Sequence, residues 1–518
     1  MDNTTDTVKH VVLSQPTPNY IENKYIEPNL THLSPEQLYA YHQFTNGNNV
    51  FITGPGGTGK TRLIQHLIEY AHYVHRSIQV CAMTGCAAVL LNCNARTLHS
   101  WSGIKLAKGA SKLVIDSVLK NKRSVAQWRK IKCLVLDEVS MLSKKVFEII
   151  EELARRITKI NLPFGGIQVV FTGDFYQLPP VGTSGEPDTE RFCFESPIWH
   201  NVFPYRSHVV LTKIFRQTDQ DYIDILQQIR EGNIRPESIH ILQQYVNRPY
   251  DTNKHNNCVP TKLFPLRSKT DYVNNMMFSK LQEKEHVYTV IRKHDCYTHI
   301  ESGKLLSLEM RQRSARLSSQ ELEYELDQMV NTSPCISTLR LKIGCAVMCT
   351  VNLDMDNGIC NGSQGIVTDM FEDIDGRYLP IVQFANGITR TIGIHYWQSE
   401  DYPCLAIGQF PLCLAWALTI HKIQGATLDM AEIDIGQGIF EYGQTYVALS
   451  RVQSLNGLYL SDFQPHRIAA NPVVHEFYKH IPKLDMSMTN ILTTTSFTDY
   501  ELKPEPIEDT TIKRVSLI

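Results

Sequence analysis

Apolar and polar positions along this chain alternate in short blocks with two different periods. Asn49-Val50-Phe51-Ile52-Thr53 is an apolar run bounded by polar and glycine residues, the pattern of a strand buried on both faces. Ahead of it, Ser34 can cap a helix that starts at Pro35, with Glu36 and Gln37 in its first turn. Behind it follow a glycine-rich turn and a helix over Thr61–Ala71. Further strands are predicted at Ile78–Met83, Cys133–Leu136 and Ile167–Phe171, with amphipathic helices such as Lys145–Ile157 between them. This order predicts an α/β fold, with one doubly wound parallel sheet filling residues 31–205.

The second half repeats the theme less cleanly. A helix is predicted over Tyr222–Arg230 and strands at Lys262–Pro265 and Leu412–Ala417, giving a second α/β domain from residues 206–270 and 403–484. The intervening residues 271–402 read as an insert. Within it, glycines recur over 343–402 among short β-rich runs such as Ala346–Thr350, Gly365–Asp369 and Leu379–Phe384, the pattern of a small barrel. Residues 298–330, rich in Ser, Arg, Glu and Leu, read as helix or mobile insert without deciding between them, and 1–30 and 485–518 read as flexible ends.

Composition narrows the class. At 518 residues, roughly three to four domains are expected. Residues AVILMFWYC make up 42% of the chain, and glycine brings it into the ordinary globular range, which excludes disordered, collagenous and coiled-coil readings. The net charge of −2 argues against coating duplex DNA by bulk charge, but not against a local groove for nucleic acid. No apolar run approaches the roughly 20 residues that span a bilayer. Thirteen cysteines without a C-x-x-C pair suggest reduced thiols inside a cell rather than zinc or disulfides.

Three segments carry the chemistry. Gly54-Pro55-Gly56-Gly57-Thr58-Gly59-Lys60-Thr61 fits G-x-x-x-x-G-K-[ST] between a strand and a helix. Its backbone N–H groups can close around phosphates, Lys60 can charge-pair the β/γ oxygens, and Thr61 can offer a hydroxyl to Mg²⁺. Leu134-Val135-Leu136-Asp137-Glu138 is an apolar strand ending in two acids, one suited to Mg²⁺ and one to polarising water. In Phe171-Thr172-Gly173-Asp174-Phe175-Tyr176-Gln177-Leu178-Pro179-Pro180, a strand end meets polar groups that can report on a γ-phosphate. Together they imply binding and hydrolysis of a nucleoside triphosphate.

The run Pro163–Gln168 leading into Gly173–Pro180 resembles the signature segment of the Pif-one family of DNA helicases (superfamily 1B, RecD-related). So do Thr84–Ala88, Thr97–Ser100, Asp137–Met141, Ala415–Gly425 and Tyr446–Arg451, in that order over most of the chain. The resemblance implies two RecA-like domains with ATP between them, single-stranded DNA across their top, and an SH3-like insert at 343–402 in the second. It also implies a small insertion in the first domain near 92–110. Gln37 would read adenine, residues 54–61 and Asp137 would hold ATP and Mg²⁺, and Glu138 would activate water. Gln177 would sense the γ-phosphate, and Arg216 and Arg451 would close from the second domain. Thr84, Gly85, Thr97, His99, Ser100, His421 and Lys422 would contact DNA, with His99 and Trp101 suited to stacking on bases and a place in the core the alternative for Trp101.

The implied activity is 5′→3′ translocation and unwinding of forked or 5′-tailed duplexes, by a monomer away from membranes, in replication, repair, recombination or telomere maintenance. Two other readings compete. A phosphate-loop kinase would need an acceptor pocket but no second RecA-like half, and a DNA-binding scaffold would need neither Glu138 nor the two arginines.

Overall fold

Six strands of the first half pair into one parallel sheet: β1 (Val50–Thr53), β2 (Ile78–Ala82), β3 (Arg96–Thr97), β4 (Cys133–Asp137), β5 (Gln168–Gly173) and β6 (His208–Val210). Their spatial order is β3-β2-β4-β5-β1-β6. The computed structural model describes residues 27–482, other than 92, 94, 251–258, 301–302, 334, 355–356 and 400–401. The 485–518 tail and most of the 1–30 lead-in therefore lie outside the described residues.

Period-2 alternation explains why these runs look uniformly apolar. Phe51, Leu134, Leu136, Val169 and Phe171 point into one layer with Phe147 and Trp199. Val50, Ile52, Val135 and Val170 point into the other, against Leu63, Ile64 and Leu67. The second layer includes helices α1 (Pro35–Thr45) and α2 (Lys60–Tyr73). Ser34 caps α1 in a full capping box with Gln37. Because all six strands run the same way, Thr53, Ala82, Asp137 and Gly173 end on one edge, where ligands of open α/β sheets bind.

The second α/β domain has four parallel strands in the order Ala417–Thr419, Thr261–Phe264, Ala431–Ile435, Leu458–Phe463. Between the first two of these in sequence lies an antiparallel region. Strands Thr389–Thr391, Tyr378–Phe384, Gln364–Glu372, Ala346–Cys349 and Leu412–Leu414 form a linear five-stranded ladder in that order. The uninformative stretch at 298–330 contains helices Leu308–Ala315 and, running slightly beyond it, Ser319–Thr332.

Several expected boundaries move. The first domain extends past 205, since β6 completes its sheet. The predicted strand Leu412–Ala417 is two strands, Leu412–Leu414 in the antiparallel ladder and Ala417–Thr419 in the second parallel sheet. The insert thus runs to about residue 414 rather than 402. It begins after helix Arg267–Lys280, which stays with the second sheet because Asn274 bonds both the N–H and the C=O of Ala417. The segment near 92–110 is no separate insertion among the described residues: Leu98, Trp101, Ile104 and Ala107 belong to the first domain's own core.

The chain's last described helix, Pro472–Lys479, also departs from the expected 403–484 assignment. It packs on the first domain: Val474 and Ile481 join its core, and Phe477 stacks on Phe194 at 4.2 Å. The Tyr478 hydroxyl lies 2.5 Å from Thr53 Oγ1, accepts the Phe175 N–H and donates to Asp174. Asp174 in turn accepts two bonds from Arg230 of helix Gln220–Arg230, at 2.8 and 2.9 Å, with the guanidinium beside the stacked Tyr176 and Tyr478 rings. Both members of this pair are buried, so removing one leaves an uncompensated charge at about 3–5 kcal/mol. Arg230→Met is therefore expected to lower the urea unfolding midpoint of the full chain clearly. An unchanged midpoint would show that water reaches Asp174.

Candidate functional site

The turn after β1 is shaped by glycine where no other residue fits. Gly57 has φ +86°, and a Cβ there would meet Arg216 Cβ at 2.7 Å. The turn feeds the N-terminus of α2, whose first residue is Lys60. Lys60 Nζ donates to the carbonyls of Gly54 (2.7 Å) and Pro55 (2.9 Å), and Thr58 Oγ1 donates to Pro55 O (2.9 Å). Thr61 is exposed one residue into the helix. Burial pulls the Lys60 ammonium below its usual range, opposed by Asp174, Glu138 and Asp137 nearby.

The two acids follow β4. Asp137 Oδ1 accepts the Glu138 N–H at 2.9 Å and the hydroxyl of Thr172 on β5. Burial pushes both carboxyls up, and the charge of Asp137 adds to the rise at Glu138. Glu138 itself sits in the left-handed region (φ 56°, ψ 44°), a strained backbone for a side-chain-bearing residue. Gln177 follows β5 in a tight turn closed by its N–H on Asp174 O (2.9 Å), and its side-chain Oε1 is buried with no hydrogen-bond partner. A buried amide oxygen without a partner is a group able to accept from a ligand.

The second domain supplies the opposite wall. Arg451 is almost fully buried, and Nε and Nη2 donate to Val447 O and Ser450 Oγ, both at 2.9 Å. It reaches the loop: a Cβ on Gly56 would lie 3.6 Å from Arg451 Nη2. The Gly56 N–H already donates to Tyr446 Oη at 2.8 Å, so a second-domain hydroxyl takes a donor of the kind that phosphate uses. Arg216 lies in the segment joining the domains, and its Nη1 donates to Ser450 O at 3.2 Å. Burial and the charge of Arg451 pull its guanidinium down to about 9, which keeps it a cation at neutral pH. Sequence reading did not single out Tyr446 as a ligand; its position five residues before Arg451 was the available signal.

The Gln37 amide is already engaged. Its Oε1 accepts the Ser34 N–H and its Nε2 donates to Thr58 O at 3.1 Å, so its amide locks α1 to the phosphate loop. Reading a base edge requires it to release one of these bonds.

The expected DNA contacts lie along the same edge of both sheets. Thr84 follows β2 and its hydroxyl accepts the Ala87 N–H, capping helix Gly85–Leu90. Thr97 ends β3, and Ser100 is exposed one turn later. His99 is half-buried and burial lowers its pKa, which favours the neutral ring suited to stacking. Trp101, by contrast, is 1% exposed and packs on Trp128 at 4.5 Å, so it is a core residue and not a base platform. His421 and Lys422 are exposed in a turn after the second-sheet strand Ala417–Thr419. The His421 ring lies parallel to that of Phe440, which is 60% exposed and was not anticipated.

The chain is similar to known proteins over most of its length. A family model described as "PIF1-like helicase" matches residues 32–239, and "DNA helicase Pif1, 2B domain" matches 327–370. The chain is 34% identical over 449 residues to "ATP-dependent DNA helicase PIF1" of Homo sapiens, covering 86% of this chain and 63% of that one. It is 33% identical over 459 residues to "ATP-dependent DNA helicase Pif1" of Bdellovibrio bacteriovorus, covering 87% and 93%. The chain thus spans somewhat under two thirds of the human relative's length and nearly all of the bacterial one. Among solved structures, the Pif1 helicase from Candida albicans superposes with a TM-score of 0.67 at 32% identity, covering 87% of this chain and 99% of that one. Bacteroides Pif1 bound to ssDNA superposes with a TM-score of 0.56 at 28% identity, covering 87% and 97%.

Proposed function

The chain belongs to the Pif1 family of DNA helicases, and on that premise we propose that it is an ATP-driven 5′→3′ translocase that unwinds forked and 5′-tailed duplex DNA. One observation carries the reading. Lys60, Asp137 and Glu138 of the first domain meet Arg451 of the second, and Arg216 of the joining segment, at a single cleft.

In the reaction, a water oxygen bonds to the γ-phosphorus while the bond to the β–γ bridging oxygen breaks. ADP leaves with that electron pair, and the water's proton passes to the Glu138 carboxylate. Lys60, Arg216 and Arg451 offset the charge that builds on the phosphoryl oxygens, and Gln177 Oε1 accepts from the water. Thr61 and Asp137 are the residues that would hold Mg²⁺, which supplies charge neutralisation at the β and γ oxygens when bound. Asp137 suits this: both its described bonds go to Oδ1, and its burial calls for a nearby cation.

Opening and closing of the cleft would move the Thr84–Ser100 edge against the His421-Lys422 turn, and so carry a strand. Both walls come from one chain, which suits a monomer. We place it inside the cell, consistent with thiols scattered without a paired motif. Among the described residues, no helix is long and apolar enough to cross a membrane.

ATP hydrolysis measured with and without a single-stranded oligonucleotide tests this reading. The rate is expected to rise severalfold with DNA. A rate indifferent to DNA, with phosphate delivered to a small acceptor, would favour the kinase reading instead.

A further inference from the structure

One contact crosses the cleft directly onto the residue assigned to water activation. Gln424 Nε2 donates to Glu138 Oε2 at 3.1 Å, joining two residues 286 positions apart. Gln424 is the residue after the turn His421–Ile423, and its own N–H closes that turn on His421 O at 3.3 Å. Within the turn, His421 and Lys422 are exposed while Ile423 is fully buried, so the outward pair and Gln424 share one short, anchored unit. The following Gly425 (φ +86°) abuts the helix that starts at Gly85, where an added Cβ would meet Leu90 Cδ1 at 2.7 Å. The turn is therefore held against the proposed DNA-facing edge of the first domain and, one residue on, against its acid pair.

We propose that Gln424 is a DNA-responsive positioning residue that restrains Glu138 until a strand engages the His421-Lys422 turn. This rests on the reading of the site as a DNA-dependent ATPase. With Gln424 bound, one of the two Glu138 carboxylate oxygens is committed to an amide donor on the far wall. That orientation competes with the one needed to face a water at the γ-phosphate. Among the described residues, the other hydrogen bonds of Glu138 are local backbone ones: its N–H goes to Asp137 and its C=O accepts from the Met141 N–H, with the backbone in the left-handed region. A strand that pulls on the turn acts on Gln424 through a single intervening residue, Ile423. Release of the amide then frees the carboxylate on the side of Lys60 and Arg451, the cations that face it.

The test uses the full chain with Gln424→Met, which keeps side-chain length and removes the N–H donor, and Gln424→Ala. ATP hydrolysis is measured without DNA and with a saturating thymidine oligonucleotide, and oligonucleotide binding is followed by fluorescence anisotropy. In both variants the DNA-free kcat is expected to rise at least about tenfold, the lower end of the roughly 10- to 100-fold that a hydrogen bond to a charged group carries. The KM for ATP and the DNA-saturated kcat should stay near wild type, so the stimulation ratio falls. A rise in rate is a result that mere structural damage does not give. Three results would overturn the proposal: an unchanged ratio in both variants, a rise in the alanine variant alone, or a parallel fall of DNA-free and DNA-bound rates. If wild type itself shows no stimulation by DNA, the reading beneath fails with it. If wild type is stimulated and the variants match it, only this inference fails.

Discussion

Glu138→Gln is expected to bind ATP close to wild type and to hydrolyse it about 10²–10⁴-fold more slowly, the usual contribution of a positioned general base. The side chains are nearly isosteric, so the strained backbone at Glu138 and the Gln424 contact both have a partner that fits. Asp137 keeps both of its Oδ1 bonds, one to the N–H of residue 138 and one to Thr172, so the proposed metal ligand is undisturbed. What is lost is a carboxylate able to take a proton from water. Equilibrium binding of a fluorescent ATP analogue and single-turnover hydrolysis under saturating single-stranded DNA separate the two effects. Substantial turnover in this variant would remove Glu138 from the role given to it.

Arg451→Ala is expected to lower kcat by about 10³-fold or more with a much smaller change in KM, in line with arginines supplied across a phosphoryl-transfer cleft. Its guanidinium is buried and held by Val447 O and Ser450 Oγ, so it is aimed before the cleft is loaded. Lysine cannot reproduce that fork, and Arg451→Lys should recover little. Arg216→Ala should also reduce kcat more than affinity, with a smaller effect, because Arg216 is less buried and bonds a single described carbonyl, Ser450 O. Full DNA-stimulated turnover in either alanine variant would make that arginine a structural residue.

The parts legible in the sequence were those in which neighbouring residues share one job. The phosphate loop, the Asp137-Glu138 pair and the Gln177 turn are contiguous, and each follows a strand whose apolar run gives its end. Partners brought together by the chain's return were not legible. Helix Pro472–Lys479 has the amphipathic pattern of any surface helix, and nothing local says that Val474 and Phe477 dock on the first domain. The run Leu412–Ala417 is apolar throughout, so its pattern could not show where the chain passes from one sheet to another. Trp101 lay in a segment chosen for DNA contact, and only its packing on Trp128 separates core from platform. Gln37 was given by the resemblance as a reader of adenine, and the two amide bonds that tie it to Ser34 and Thr58 are a matter of geometry that spacing does not encode.

Polarity is the most direct test of the account, because the cleft alone explains hydrolysis in either direction. Two duplexes of identical sequence, one with a 5′ single-stranded tail and one with a 3′ tail, should be compared under ATP and Mg²⁺ with a trap strand present. Both should bind, and binding to both should weaken with salt, since phosphate contacts are blind to direction. Unwinding of the 5′-tailed duplex, with the 3′-tailed one left intact, is the result the account predicts. Efficient unwinding confined to the 3′-tailed duplex would contradict it.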